Sequence, residues 1–224
     1  MIKTVIFDFD YTLGDSTNGI ILSANYALER LGYSSCSAGT IKKTIGLSLE
    51  ETYYALTKQD SRTESGRFSE LFKEKADEVM VAHTTLYDGV TAWLERLKKE
   101  GYQTGIVTTK FHYRIVQILR QFAAEELIDV IVGAEDVKAV KPDPAGLLLA
   151  VEKLGAAKEA VLYVGDSYVD AATAERAGIR FAGVLTGTTA KEAFEQYPCA
   201  FIGENVSEVY HFLTGQDESP ALSE

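Results

Sequence analysis

The stretch KTVIFDFDYTL, residues 3–13, decides the reading of the chain. Lys3–Asp8 is a short, nearly continuous apolar run ending in an acid, the pattern of a strand buried on both faces of a parallel sheet. Side chains two apart on a strand share a face, so Asp8 and Asp10 present their carboxylates in the same direction at its carboxyl end. Runs of the same kind recur at Gln103–Thr109, Val130–Glu135, Val161–Asp166 and Arg180–Leu185. Helical stretches separate them at Val90–Glu100, His112–Phe122, Pro144–Leu154 and Tyr168–Ala177. Gly101, Gly155 and Gly178 follow three of these, where a left-handed C-terminal cap is wanted. The alternation predicts an α/β fold: a Rossmann-like parallel sheet in a three-layer core, with the first strand central.

Between the first two strands the rhythm breaks. From Asp15 to Tyr87 no convincing strand appears, and apolar residues recur at helical spacing: Ile21, Leu22, Ala24, Leu28 and Leu31, then Leu49, Tyr53 and Leu56, then Phe68, Leu71, Phe72 and Val79. About four helices are expected there. The domain reading is an α/β core from residues 1–14 and 88–214, an inserted all-helical domain at 15–87, and a flexible polar tail at 215–224.

Apolar residues make up 46% and charged residues 25%, which is enough to build a core and excludes a disordered chain. A formal charge of −11 argues against nucleic acid and anionic membrane as partners. No apolar run near the N-terminus is long enough for a signal peptide or a membrane span, so a soluble cytoplasmic protein is expected. Cys36 and Cys199 are far apart and lack metal-binding companions, which argues against a disulfide framework or a zinc site.

Ligands of open parallel sheets bind at the carboxyl ends of strands. There the chain delivers Asp8 and Asp10, then Thr108-Thr109-Lys110, then Lys141, then Gly165-Asp166-Ser167 with Asp170 beyond. Clustered carboxylates without histidine or thiolate select a hard cation, and magnesium accounts for them. Asp8, ionised at neutral pH, suits nucleophilic attack on phosphorus, and Asp10 suits proton transfer. Thr108, Thr109 and Lys141 then suit phosphate binding by hydroxyls and an ammonium. Lys141 also reads as a solvated lysine before a helix, and Asp170 as a first-turn acid favoured by the helix dipole.

With these residues in place, the chain resembles the haloacid dehalogenase superfamily of phosphohydrolases over essentially its whole length. DFDYTL is similar to that superfamily's first motif, DxDxT; Thr108 in GIVTT resembles its second, Lys141 in VKPDP its third, and GDSYVD at residues 165–170 its fourth. The resemblance implies Asp8 as phosphorylated nucleophile and Asp10 as acid/base. It implies Asp8, the Asp10 backbone carbonyl and Asp166 as magnesium ligands, with Asp170 supporting the metal. It also implies a four-helix cap that closes over the sheet and selects a small phosphorylated metabolite. TLGDS, the cap and KPDP look most like phosphoglycolate-phosphatase-type members.

One departure is Tyr11, where these phosphatases usually carry glycine; it packs under the cap, narrows the pocket or meets substrate. Lys42 and Lys43 lie where related caps place a basic residue facing the site, and read equally as solvated helix charge. The leading expectation is a magnesium-dependent phosphatase, monomer or homodimer, acting through an aspartyl-phosphate. Alternatives are a pyrophosphatase or nucleotidase of the same family, or a sugar phosphomutase of the beta-phosphoglucomutase kind. Such mutases commonly carry an acid where Gly165 stands. A response-regulator receiver or a non-enzymatic binding protein fits less well, because Asp10 and the insertion are present.

Overall fold

The computed structural model describes residues 1–215. Its centre is a six-stranded, all-parallel sheet. In chain order the strands and helices are β1 (Thr4–Phe7), the two-residue β2 (Gly14–Asp15), α1 (Thr17–Arg30), α2 (Ala38–Lys42), α3 (Leu49–Thr57), α4 (Arg62–Val79) and β3 (Thr85–Leu86). They continue with α5 (Val90–Lys99), β4 (Gln103–Val107), α6 (His112–Gln121), β5 (Val130–Val132), α7 (Ala145–Leu154), β6 (Val161–Gly165), α8 (Tyr168–Ala177), β7 (Arg180–Val184), α9 (Lys191–Phe194), β8 (Cys199–Gly203) and α10 (Val206–Thr214). The sheet order β5-β4-β1-β6-β7-β8 puts β1 between β4 and β6. The chain builds outward from β1 in both directions, so the switch-point crevice opens at its carboxyl end.

β1 alternates its side chains between two cores. Val5 and Phe7 join Trp93, Leu94, Ile115, Ile118 and Val209, from α5, α6 and α10, on one face. Ile6 joins Leu147, Ala150, Ala171, Ala174 and Phe194, from α7, α8 and α9, on the other. Burial on both faces is why the strand reads as an unbroken apolar run. The helices between β2 and β3 have a core of their own, built on Ala24, Leu28, Ile41, Tyr53, Phe68 and Phe72. Thus the three layers and the inserted helices stand as expected, with four helices in the insertion.

Some expectations need correction. Each predicted strand stops one to three residues short of its predicted end, because the polar ends turn into loops; residues 134 and 135, placed in the third strand, belong to a 3-10 turn over 134–136. The insertion is bounded by a strand pair after all: β2 and β3 pair antiparallel, Gly14 with Leu86 and Asp15 with Thr85, too short to show any periodicity. A sixth strand, β8, and the helices α9 and α10 are also present. β8 lies at the sheet edge and is only partly buried, so it lacks the continuous apolar signature of its neighbours. The expected flexible tail lies, from residue 216 on, outside the described residues. Among the described residues no helix is long and apolar enough to cross a membrane.

Candidate active site

Beyond β1 the chain makes a tight loop. The Phe9 carbonyl accepts from the amides of Thr12, Leu13 and Gly14, and the Tyr11 amide donates to the Gly14 carbonyl at 2.7 Å. This loop fixes Asp8 and Asp10 over the end of the sheet. The Asp8 amide donates to Val164 of β6, and its Oδ1 accepts the Phe9 amide at 2.7 Å. Asp8 Oδ2 lies 2.8 Å from Lys141 Nζ, which also lies 2.6 Å from Asp170 Oδ1. The Lys141–Pro142 peptide is cis. Asp8, Asp166 and Asp170 each bring a carboxylate oxygen to within 4.8 Å of the others, and all three are buried.

The Asp10 carboxylate turns away from that cluster. Its Oδ2 pairs with Lys110 Nζ at 3.0 Å, while its Oδ1 is buried without a hydrogen-bond partner among the described residues. Thr108 is buried, and its hydroxyl accepts the Lys110 amide at 3.2 Å. Asp170 opens α8 in a capping box: Ser167 Oγ donates to Asp170 Oδ2 at 2.5 Å and accepts the Asp170 amide at 3.2 Å. One carboxylate thus both caps α8 and faces Lys141.

Burial pushes the Asp8 carboxyl up to about 7; Lys141 opposes this rise and Asp170 adds to it. Burial, with Asp170 and Asp8 nearby, likewise lifts Asp166 well above the carboxylate range. Burial alone would depress Lys141, but Asp170 and Asp8 outweigh it and raise its pKa, so it stays an ammonium. Three acids facing one lysine make a site short of positive charge.

A family model described as "Haloacid dehalogenase-like hydrolase" matches residues 5–184. The chain belongs to that family. Pyrophosphatase PpaX of Bacillus velezensis is 30% identical over 96% of this chain and 97% of its own. A crystal structure described as a haloacid dehalogenase-like hydrolase from Bacteroides fragilis superposes with a TM-score of 0.90 at 41% identity, covering 93% of this chain and all of that one. A predicted phosphoglycolate phosphatase from Haemophilus somnus superposes with a TM-score of 0.83 at 26% identity, covering 96% and 98%. This haloacid dehalogenase-like protein is accordingly a phosphohydrolase.

Three features of this family member's site escaped the sequence reading. Lys110 stands beside Thr108 and Thr109 with nothing in the sequence to mark its partner; its pairing with Asp10 joins the loop after β4 to the loop after β1. Tyr163, fully buried, donates its hydroxyl to Asp170 Oδ1 at 2.8 Å and lies 3.2 Å from Lys141 Nζ. A tyrosine in the run VLYVG was the available signal. Third, the loop after β7 folds over Asp166: a Cβ on Gly187 would fall 1.9 Å from Asp166 Oδ2, and the Thr186 hydroxyl donates to the Tyr11 carbonyl.

The remaining predicted residues divide. Thr109 and Asp10 line one small cavity with the inserted helices. Tyr11 is buried, with its hydroxyl 2.8 Å from Thr17 Oγ1, which is packing under the insertion. Lys42 and Lys43 are exposed and line a separate cavity of about 560 Å³ with Tyr168 and Thr188, a cavity that Asp10 does not line. Gly165 has no room for the acid a mutase carries, since a Cβ there would lie 2.5 Å from Asp170.

Proposed function

We propose that the protein is a magnesium-dependent phosphatase hydrolysing a small phosphomonoester through a phosphoaspartate at Asp8. The observation that carries this reading is the Lys141 ammonium held between Asp8 and Asp170, with Asp166 beside them and too little protein charge to balance three acids. The all-oxygen donor set fits a hard divalent ion, with Asp8, the Asp10 carbonyl and Asp166 holding it and Asp170 behind them. Bound there, magnesium supplies positive charge to the phosphoryl oxygens and keeps Asp8 ionised.

The chain's own residues do the rest. Thr108, Thr109 and Lys141 hold the phosphoryl oxygens. Asp8 attacks phosphorus, the bond to the leaving oxygen breaks, and Asp10 gives that oxygen its proton. Asp10 then takes a proton from water as the water oxygen adds to phosphorus; the bond to Asp8 breaks, inorganic phosphate departs and both acids return to their starting state. Residues 1–14 and 88–214 act as the catalytic core, and 15–87 as a cap that excludes water from the phosphoaspartate. A small cytoplasmic metabolite is the substrate class this reading takes, and the net charge of −11 weighs against nucleic acid as a partner.

The substrates to test first are phosphoglycolate, from the fold neighbour, and pyrophosphate, from the curated relative. With magnesium present, Asp8→Asn lowers phosphate release by at least about 10³-fold, the scale of losing a nucleophile. Turnover close to that of the unaltered protein would overturn the mechanism.

A further inference from the structure

The cavity over Asp10 holds information about the leaving group. It measures about 60 Å³, room for about four to six water-sized groups. Its ceiling comes from the inserted helices and the loop between two of them and is mostly apolar, with Ile20, Ile45, Leu47, Leu49 and Phe72 beside the hydroxyls of Thr44 and Thr52. Its floor is Asp10, Thr109 and Lys110, and among its lining residues Lys110 is the single cation. That lysine is buried and already neutralised by Asp10 at 3.0 Å. Lys42 and Lys43, the other cationic candidates, open onto a different cavity.

Resting on the phosphatase reading above, we propose that Lys110 recognises the leaving group, exchanging its Asp10 carboxylate for one anionic group on a leaving fragment of about five non-hydrogen atoms. Once Asp10 leaves Lys110 to handle its proton, the buried ammonium needs another anion, and the largely apolar ceiling offers none; the incoming fragment brings its own. Thr44 and Thr52 add two hydroxyls to that lining, and the size of the cavity leaves no space for a sugar or a nucleoside. The shared chemistry is a small anion on the departing side, either the carboxylate of a short hydroxy acid or a second phosphate.

Phosphoglycolate and pyrophosphate separate these two sources, and ethyl phosphate serves as an uncharged leaving group of similar size. The expected result is that Lys110→Met loses about 10- to 100-fold more kcat/KM on one or both anionic substrates than on ethyl phosphate, the worth of a charge-assisted hydrogen bond. Lys110→Arg restores part of that difference. Glucose 6-phosphate and AMP are turned over at least about 100-fold less efficiently than the preferred small substrate, and Phe72→Ala narrows that gap. Equal losses of Lys110→Met on charged and uncharged esters would make Lys110 a mere support for Asp10 and overturn the proposal, as would efficient hydrolysis of AMP. If the unaltered protein releases no phosphate from any ester, the phosphatase reading itself falls, a result distinct from a lost charge preference.

Discussion

Tyr11 shows what a single residue costs beside the chemistry. Its φ of 60° lies in the left-handed region, which disfavours a residue with a Cβ by about 1–2 kcal/mol. Glycine would avoid that strain. The tyrosine offsets it through burial and the hydroxyl contact with Thr17. Tyr11→Ala loses the packing and keeps the strain, whereas Tyr11→Gly loses the packing and relieves it. Urea unfolding is therefore expected to find the glycine variant about 1 kcal/mol more stable than the alanine variant, the reverse of the order inside a helix. At this scale the sequence was most informative for Ser167 and Asp170, three apart on one turn; the expectation that Asp8 and Asp10 point the same way fails, because β1 ends at Phe7 and the loop beyond it sends Asp8 to Lys141 and Asp10 to Lys110. It was silent on Lys110 and Tyr163, whose partners sit on other strands. Nor could it show that Asp10 turns away from the other acids, since that depends on Lys110 arriving from β4.

The elements meet across a specific junction. Arg114 on α6 is buried, and its Nη2 donates to Asp77 Oδ1 on α4 at 2.5 Å; the neighbouring Tyr113 hydroxyl donates to the same oxygen at 2.6 Å. Lys73 of α4 lies 4.4 Å over the Phe111 ring just before α6. Together these contacts fasten the inserted helices to the sheet-bearing part. Asp77→Ala removes the carboxylate and leaves a buried guanidinium, so it should cost about 1–3 kcal/mol in urea unfolding. Asp77→Asn, keeping an acceptor oxygen, should cost less; equal stability of both variants with the unaltered protein would show the junction to be idle. The strands and helices of the sheet were legible because each buries a long apolar face. β8 was not, since an edge strand is half exposed, and neither was the β2–β3 pair, which is two residues long. The junction itself was invisible, because Asp77 and Arg114 each look like ordinary helix charges.

For the whole molecule, the concentration of buried acids makes stability depend on pH in a defined direction. Asp8 titrates near 4 when unfolded and near 7 when folded, and Asp166 is also raised. Between those values the folded state binds more protons, so these groups make stability fall as pH rises through about 4 to 7. A divalent ion favours the charged forms and removes that penalty. Thermal melts with chelator should therefore give a lower Tm at pH 7.5 than at pH 5.5. Magnesium at about 100 times its Kd should add about 2.7 kcal/mol at the higher pH and much less at the lower one. A magnesium effect independent of pH, or one that survives Asp166→Asn, would separate the ion from this cluster. A different consequence follows from the two-residue ladder between Gly14–Asp15 and Thr85–Leu86. The polypeptide departs from and rejoins the sheet-bearing part at one doorway, through strands close enough for a hairpin turn to bridge. Excising residues 16–84 and joining the ends with a two-residue turn should preserve the parallel sheet, read by circular dichroism, while abolishing discrimination among esters. Such an architecture lets the guest at the doorway be exchanged wholesale while the buried acids at the end of the sheet keep their places.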